Sequence, residues 1–341
     1  MTKHSGVNEK TGRPLKRPGM APGGLLRYNF SKVVSAFFCA TLLTVAPAQT
    51  KAQTAADADR AQLLQNQIQP PVGTLPEGVE NGHAALSPND ADLGEQAILK
   101  RSEAYQPFTI LVNTPFFYTS NVALTPHHEL SDFVVAPAVG IFYEPRITKT
   151  LSGFVDVREQ IFYYGKYDSF NFASMDVEAG LSYVVPQAHN LVLRAEYDFN
   201  RLTDDDLDSA FFDNHQIIVS GEVPFRINRA ETLSLGADVN WSVGADHQSP
   251  RRNDYEAYAS YFANITRAFS LNAVGRVVLR QYHQNDRDDL SEIFSLNASY
   301  RLASWCSISA ITSIARSDSN QDQFDYNVAN AGGALSLTVK F

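Results

Sequence analysis

The residues in this 341-residue chain with chemistry to offer are few and scattered: adjacent histidines, a histidine near an aspartate, isolated cysteines and two acidic runs. His127-His128 precede Glu129, and His215 shares a strand face with Asp213. A hydrolase needs a nucleophile held beside a base that is itself oriented. No G-x-S-x-G elbow accompanies these histidines, and there is no phosphate-cradling glycine loop or paired-cysteine metal motif. The acidic runs Asp204-Asp205-Asp206-Leu207-Asp208 and Asn285-Asp286-Arg287-Asp288-Asp289 offer oxygen ligands, but the first lacks the glycine and terminal glutamate of a calcium loop. The reading is no catalytic residue, no metal and no cofactor.

A larger set of charges follows a rule. Asp156, Arg158, Asp176, Glu178, Arg194, Glu196, Asp198, Glu222, Asp238, Arg276, Arg280 and Arg301 each fall on the polar side of a segment that alternates with a period of two. That period belongs to strands with one apolar and one wet face. In 231–245, Leu233, Leu235, Ala237, Val239, Trp241 and Val243 oppose Ser234, Gly236, Asp238, Asn240 and Ser242. In 190–202, Leu191, Leu193, Ala195, Tyr197 and Phe199 oppose Arg194, Glu196, Asp198 and Asn200. Segment 170–185 repeats the pattern from Ala173 to Val185. Such runs exceed the roughly 5 to 6 residues usual in soluble sheets and meet the roughly 9 to 11 that a tilted strand needs to cross a bilayer. Glu159 breaks the rule, as a charge on the apolar side.

Connectors sort into short ones (144–149, 186–190, 226–230, 266–268, 303–304) alternating with longer, more polar ones (123–131, 165–169, 203–209, 246–253, 284–290, 317–324). Short turns at one end and longer loops at the other, with an even strand count near twelve, fit a closed transmembrane barrel. The expected fold is therefore all-β: an antiparallel up-and-down β-barrel over 105–341. Aromatic clusters near strand ends (Phe116 to Tyr118, Phe142 and Tyr143, Phe162 to Tyr164, Phe211 and Phe212) fit interfacial girdles.

Composition agrees. Mean hydropathy is -0.22 although 44% of residues are hydrophobic, as expected when only one strand face is apolar. Residues 1–32 hold seven Lys or Arg against Glu9, then an apolar run, Val33 to Val45, leads to Ala46-Pro47-Ala48. A basic start, a short apolar core and small residues at its exit read as a secretory signal over 1–48. Its removal takes basic residues from 28 to 21 and acids from 37 to 36, so net charge moves from -9 to -15. An acidic mature chain argues against a nucleic-acid partner. Residues 49–104 are poor in aromatics and broken by Gln69-Pro70-Pro71 and Leu86-Ser87-Pro88. They read as a disordered periplasmic tail, with a plug or a segment binding a periplasmic partner as the alternative, and one short helix over Asp57–Ile68.

At the C-terminus Leu335, Leu337, Val339 and Phe341 alternate with Ser336, Thr338 and Lys340, and the chain stops at the aromatic ring. This resembles the terminal strand of Gram-negative outer-membrane β-barrel proteins of the porin-like kind. The resemblance implies that these four residues serve as an assembly signal read by the barrel-assembly machinery. It also implies lipid and lipopolysaccharide as surroundings, an outer-membrane location with both termini periplasmic, and a last strand that closes on the first. The functional expectation is a narrow passive channel for small polar solutes, lined by the charges above. The alternative is a non-conducting structural or interaction barrel whose loops or tail bind a partner.

Overall fold

A computed structural model describes residues 55–68 and 105–341. The leader (1–48) and the rest of the tail (49–54 and 69–104) lie outside the described residues.

Alternation along the chain becomes thirteen strands: β1 (Phe108–Thr119), β2 (Asp132–Val135), β3 (Ala138–Tyr143), β4 (Leu151–Tyr164), β5 (Phe172–Val185), β6 (Leu191–Thr203), β7 (Ala210–Arg226), β8 (Glu231–Asp246), β9 (Arg252–Asn264), β10 (Phe269–Tyr282), β11 (Asp288–Ala303), β12 (Cys306–Ser319) and β13 (Tyr326–Lys340). β2 and β3 are two halves of one stave, since both pair with β1 and with β4. Proline carries no amide hydrogen for the ladder, and the stave breaks at Ala136-Pro137. Bonds from Ala136 N–H to the Pro115 carbonyl (2.8 Å) and from Ile161 N–H to the Pro137 carbonyl (3.0 Å) hold the break in line. The barrel thus has twelve antiparallel staves, each hydrogen-bonded to its chain neighbours.

The sheet has no free edge. β13 pairs with β1 from Thr109 opposite Lys340 to Thr119 opposite Asn330. Phe108 and Phe341 exchange backbone bonds of 3.0 and 3.1 Å. Closure joins the first and last strands, so no sheet edge is left open to hydrocarbon. It requires glycine at 332, where a Cβ would overlap the Phe116 carbonyl and the Phe117 backbone.

The outer surface carries the apolar series. Leu235, Trp241, Val243, Leu181, Tyr183, Val157 and Val219 are exposed, while Ser234, Asp238, Ser242 and Ser182 are buried. For a barrel in lipid, exposure of this kind is contact with hydrocarbon. Leu335, Val339 and Phe341 also point outward. Toward the loop end, outward charges interrupt this belt: Arg201 pairs with Asp213 at 2.7 Å, and Arg316 with Asp318 at 2.9 Å. Glu159, which sits opposite Met175 on β5, lies on the same outer face as Val155 and Val157.

The aromatic clusters divide between the faces. Phe116, Tyr118, Tyr143 and Tyr163 are exposed, whereas Phe117, Phe142, Phe162, Tyr164 and Phe212 are buried. Adjacent strand residues point to opposite faces, so part of each expected girdle faces inward instead, and Phe211 is buried along with Phe212.

One further element lies inside the barrel. Helix α1 (Ala55–Ile68) packs Ala58, Ala61 and Leu64 against Phe117, Val134, Phe162, Phe172, Leu202 and Phe212, while Leu63 meets Val278, Ile293 and Tyr326 on another wall. The short helix expected near Asp57–Ile68 is present, and its buried side chains meet the inward face of the wall. A 14-residue helix is marginal alone in water, and here the inward apolar side chains of the wall hold it.

Candidate functional site: the lumen and the helix within it

Period two places the charges before any contact is considered. On β4, Asp156, Arg158 and Gln160 share the inward face with Phe162 and Tyr164; on β6, Glu196, Asp198 and Asn200 share it with Leu202. On β4 and β6 the lumen face is therefore charged in its turn-end part and apolar near the loops.

The charged part contains two walls. On β4 to β6, Arg158 lies 3.3 Å from Glu178 and 3.5 Å from Asp156, and Arg194 lies 3.2 Å from Glu196. Asn200 donates to Asp176 (2.7 Å) and to Ser174 (3.0 Å). Five acids, with Asp198, thus meet two arginines, leaving this wall net negative. Further round, on β8 to β10, Arg276 pairs with Glu256 at 3.0 Å, beside Asp238 on β8. Tyr258 lays its ring over Gly236 and donates its hydroxyl to Glu222 at 2.7 Å. Any Cβ at 236 would collide with that ring, so glycine is what lets Tyr258 lie flat against the wall.

Near the loop end, β9, β10 and β11 bring Arg252, Arg280 and Arg287 together. Asp59 of α1 enters this group. Its Oδ1 accepts from Arg252 Nη1 (2.8 Å) and the Tyr282 hydroxyl (2.7 Å), and its Oδ2 accepts from Arg287 Nη1 (2.8 Å). Arg252 also bonds Asp254 at 3.1 Å, and Arg287 bonds Asp289 at 2.5 Å. The Arg287 guanidinium lies between two rings, 4.0 Å from the Tyr282 centroid and 3.8 Å from that of Phe324. Burial opposes the charge on Arg287, but the hydrogen bonds it donates to Asp289 and the nearby Asp59 carboxylate outweigh it and hold its pKa above the ordinary arginine value. Arg280 is fully buried: it donates to Ser291 and sits 3.8 Å from Asp254.

α1 has two further ties. Arg60 lies over Phe170 at 3.9 Å, and Asn330 donates to Gln67 Oε1 at 3.2 Å. The loop bearing Phe170 is fixed by buried Asp132, whose carboxylate accepts from the amides of Lys166 (2.9 Å) and Tyr167 (3.0 Å). Beyond Ile68 a cavity remains, lined by Leu111, Phe142, Arg158, Gln160 and Ile311 among others.

Eleven of the twelve charges named as lumen-lining point inward and are buried or half-buried: Asp156, Arg158, Asp176, Glu178, Arg194, Glu196, Asp198, Glu222, Asp238, Arg276 and Arg280. Arg301 keeps the inward register near the end of β11 but is exposed at the turn end. Sequence reasoning missed Arg252, Arg287, Tyr282 and Asp59, since Arg287 and Asp289 stood in a run that looked solvated. A signal was present. Phe162, Tyr164, Phe172, Leu202 and Phe212 sit in the inward register, and an apolar lumen face needs something to cover it.

The candidate catalytic residues are not brought into a working arrangement. His215 turns outward, with Nδ1 2.5 Å from the Tyr197 hydroxyl, while Asp213 is engaged by Arg201 at 2.7 and 2.9 Å. Asp204 binds the amides of Asp208 (3.1 Å) and Ser209 (3.4 Å) in its own loop. Among the described residues no group of three or more His, Cys, Asp or Glu could hold a metal ion.

No protein-family model matches the sequence, and no curated protein matches it significantly. Solved structures do match in shape. An outer-membrane channel from Pseudomonas putida F1 aligns with a TM-score of 0.51 at 11% identity, covering 69% of this chain and 96% of that one. The translocator domain of the autotransporter NalP from Neisseria meningitidis gives 0.41 at 9% identity over 70% of this chain and 90% of that one. The NanC porin gives 0.40 at 9% identity over 66% and 98%. With its twelve closed staves, lipid-facing belt and paired terminal strand, the chain has the fold of an outer-membrane β-barrel.

Proposed function

We propose that the barrel is a narrow passive channel of the outer membrane for small polar solutes, with both termini on the periplasmic side. The observation that supports this reading is the charged turn-end lumen, where Arg158, Glu178, Arg194 and Glu196 on β4 to β6 and Asp238, Glu256 and Arg276 on β8 to β10 share the inward face. Charged side chains lining a narrow water-filled passage set its selectivity. Without a passage, so many buried carboxylates would be costly to retain. The fold shared with a solved outer-membrane channel is in keeping with this reading.

A second reading draws on α1. With the helix in the loop end and ion pairs engaging the lumen arginines, the barrel is a filled, non-conducting scaffold that uses its tail or loops to hold a partner.

Flux in proteoliposomes separates the two. The full chain and a variant lacking 49–104 are reconstituted and challenged with small neutral and charged solutes. The channel reading predicts solute entry that increases when the segment is deleted. No entry with the full chain supports the filled scaffold, and impermeability of both preparations contradicts the channel reading.

A further inference from the structure

We propose that Arg252, Tyr282 and Arg287 form a binding site for a carboxylate-bearing solute with an apolar body, and that Asp59 of α1 occupies this site as a built-in competitor. The idea of a solute rests on the channel reading; the idea of a carboxylate site rests on the geometry alone.

Three observations converge. First, Asp59 is held as a ligand is held: both oxygens are engaged, by two guanidinium groups and a phenol, at 2.7 to 2.8 Å. Charge-assisted bonds of this kind are the strong ones, and arginine suits planar carboxylates. Second, charge balance at the loop end depends on the helix. The wall supplies three buried arginines, Arg252, Arg280 and Arg287, against Asp254 and Asp289, and α1 brings the third carboxylate. Without Asp59 one positive charge is left uncompensated in a buried place, which is costly until another anion arrives. Arg280, fully buried, keeps Nε and Nη2 without a hydrogen bond to any described residue. Third, the wall next to the clamp is apolar: Leu63, one turn from Asp59, packs on Val278 of β10, two residues before Arg280, and on Ile293 of β11, Ala315 of β12 and Tyr326 of β13. The cradle thus fits a carboxylate attached to a compact apolar body.

Elsewhere the helix is held less well. Arg60 Nη1, Gln62 Oε1, Gln65 Nε2 and Gln67 Nε2 are buried without a hydrogen-bond partner among the described residues. Such unpaired groups make docking weaker, so Asp59 is the contact whose replacement by a solute would release α1.

The test reads helix displacement without relying on conduction. In the full chain carrying Cys39→Ser and Cys306→Ser, Ala61→Cys is reacted with a maleimide in detergent, and Gln65→Cys serves as a second reporter in case the first fails to fold. Retention of the barrel is checked by gel mobility before and after boiling. Hexanoate is expected to raise the labelling rate by at least about tenfold, whereas hexanol, and sulfate at matched ionic strength, leave it unchanged. Arg287→Gln is expected to abolish the hexanoate effect, and Asp59→Asn to label fast without any additive. The proposal is overturned if hexanoate does no more than hexanol or sulfate, if Asp59→Asn labels as slowly as its parent, or if both reporters react at the rate of a free thiol in the parent. Displacement by hexanoate in a preparation that passes no ions would support the site and count against the channel reading alone.

Discussion

At the residue scale the loop-end cluster behaves as one charge-balanced unit. Three arginines and three carboxylates share it, one of the latter on α1. Removing Asp59 or Arg280 singly upsets the balance in opposite senses, and removing both restores it. Groups in one ion-pair network are coupled by roughly 0.5–3 kcal/mol. Asp59→Asn and Arg280→Met should therefore each loosen α1, and the double variant should loosen it by less than the sum of the two, with a coupling of about 1 kcal/mol. Thiol labelling at position 61 across the four backgrounds measures this; strict additivity would mean that the two side chains do not share a network. The cluster itself was hard to see in the sequence. Asp289 follows a run of polar loop residues, yet it is fully buried on Arg287, because a single step of strand register turns it inward.

At the element scale the strands were legible and the helix only half so. Each stave announces itself by alternation, and the strand that closes the barrel does so by ending Leu335, Leu337, Val339, Phe341 on the lipid side. The break in the second stave at Ala136-Pro137 was not foreseen, although the proline explains it. For α1 the helical segment could be read but its docking could not. Its apolar groups are small, and its partners are aromatic residues on strands far away in sequence. Two predictions belong here. Leu64→Asp puts a carboxylate into that aromatic cluster; a buried charge without a partner is strongly unfavourable, so α1 should leave the lumen, read as fast labelling at position 65. Gly332→Val should block pairing of β13 with β1 because its side chain would overlap the Phe116 carbonyl and the Phe117 backbone; loss of the compact, heat-modifiable gel band checks this, and an intact band would show that the seam tolerates a side chain.

At the scale of the whole molecule, two solvents shape one sheet. Hydrocarbon selects the residues outside, and the lumen keeps charges inside. The same substitution should therefore have opposite consequences on the two faces. Val219→Arg, on the outer face near the middle of β7, should cost about 2–4 kcal/mol of folding free energy into vesicles if it lies near the bilayer midplane. Asn240→Arg, in the inward register of β8, should cost much less, with denaturant titration of refolding as the measurement. Everything functional depends on whether the charged lumen is a water-filled path that α1 interrupts. Single-channel recording in planar bilayers tests that most directly, with the full chain and the chain lacking 49–104 measured side by side. Small or rare openings for the full chain and larger, reproducible steps for the shortened one are the predicted result. Membranes that stay closed with both proteins, while both retain the folded gel band, would contradict it.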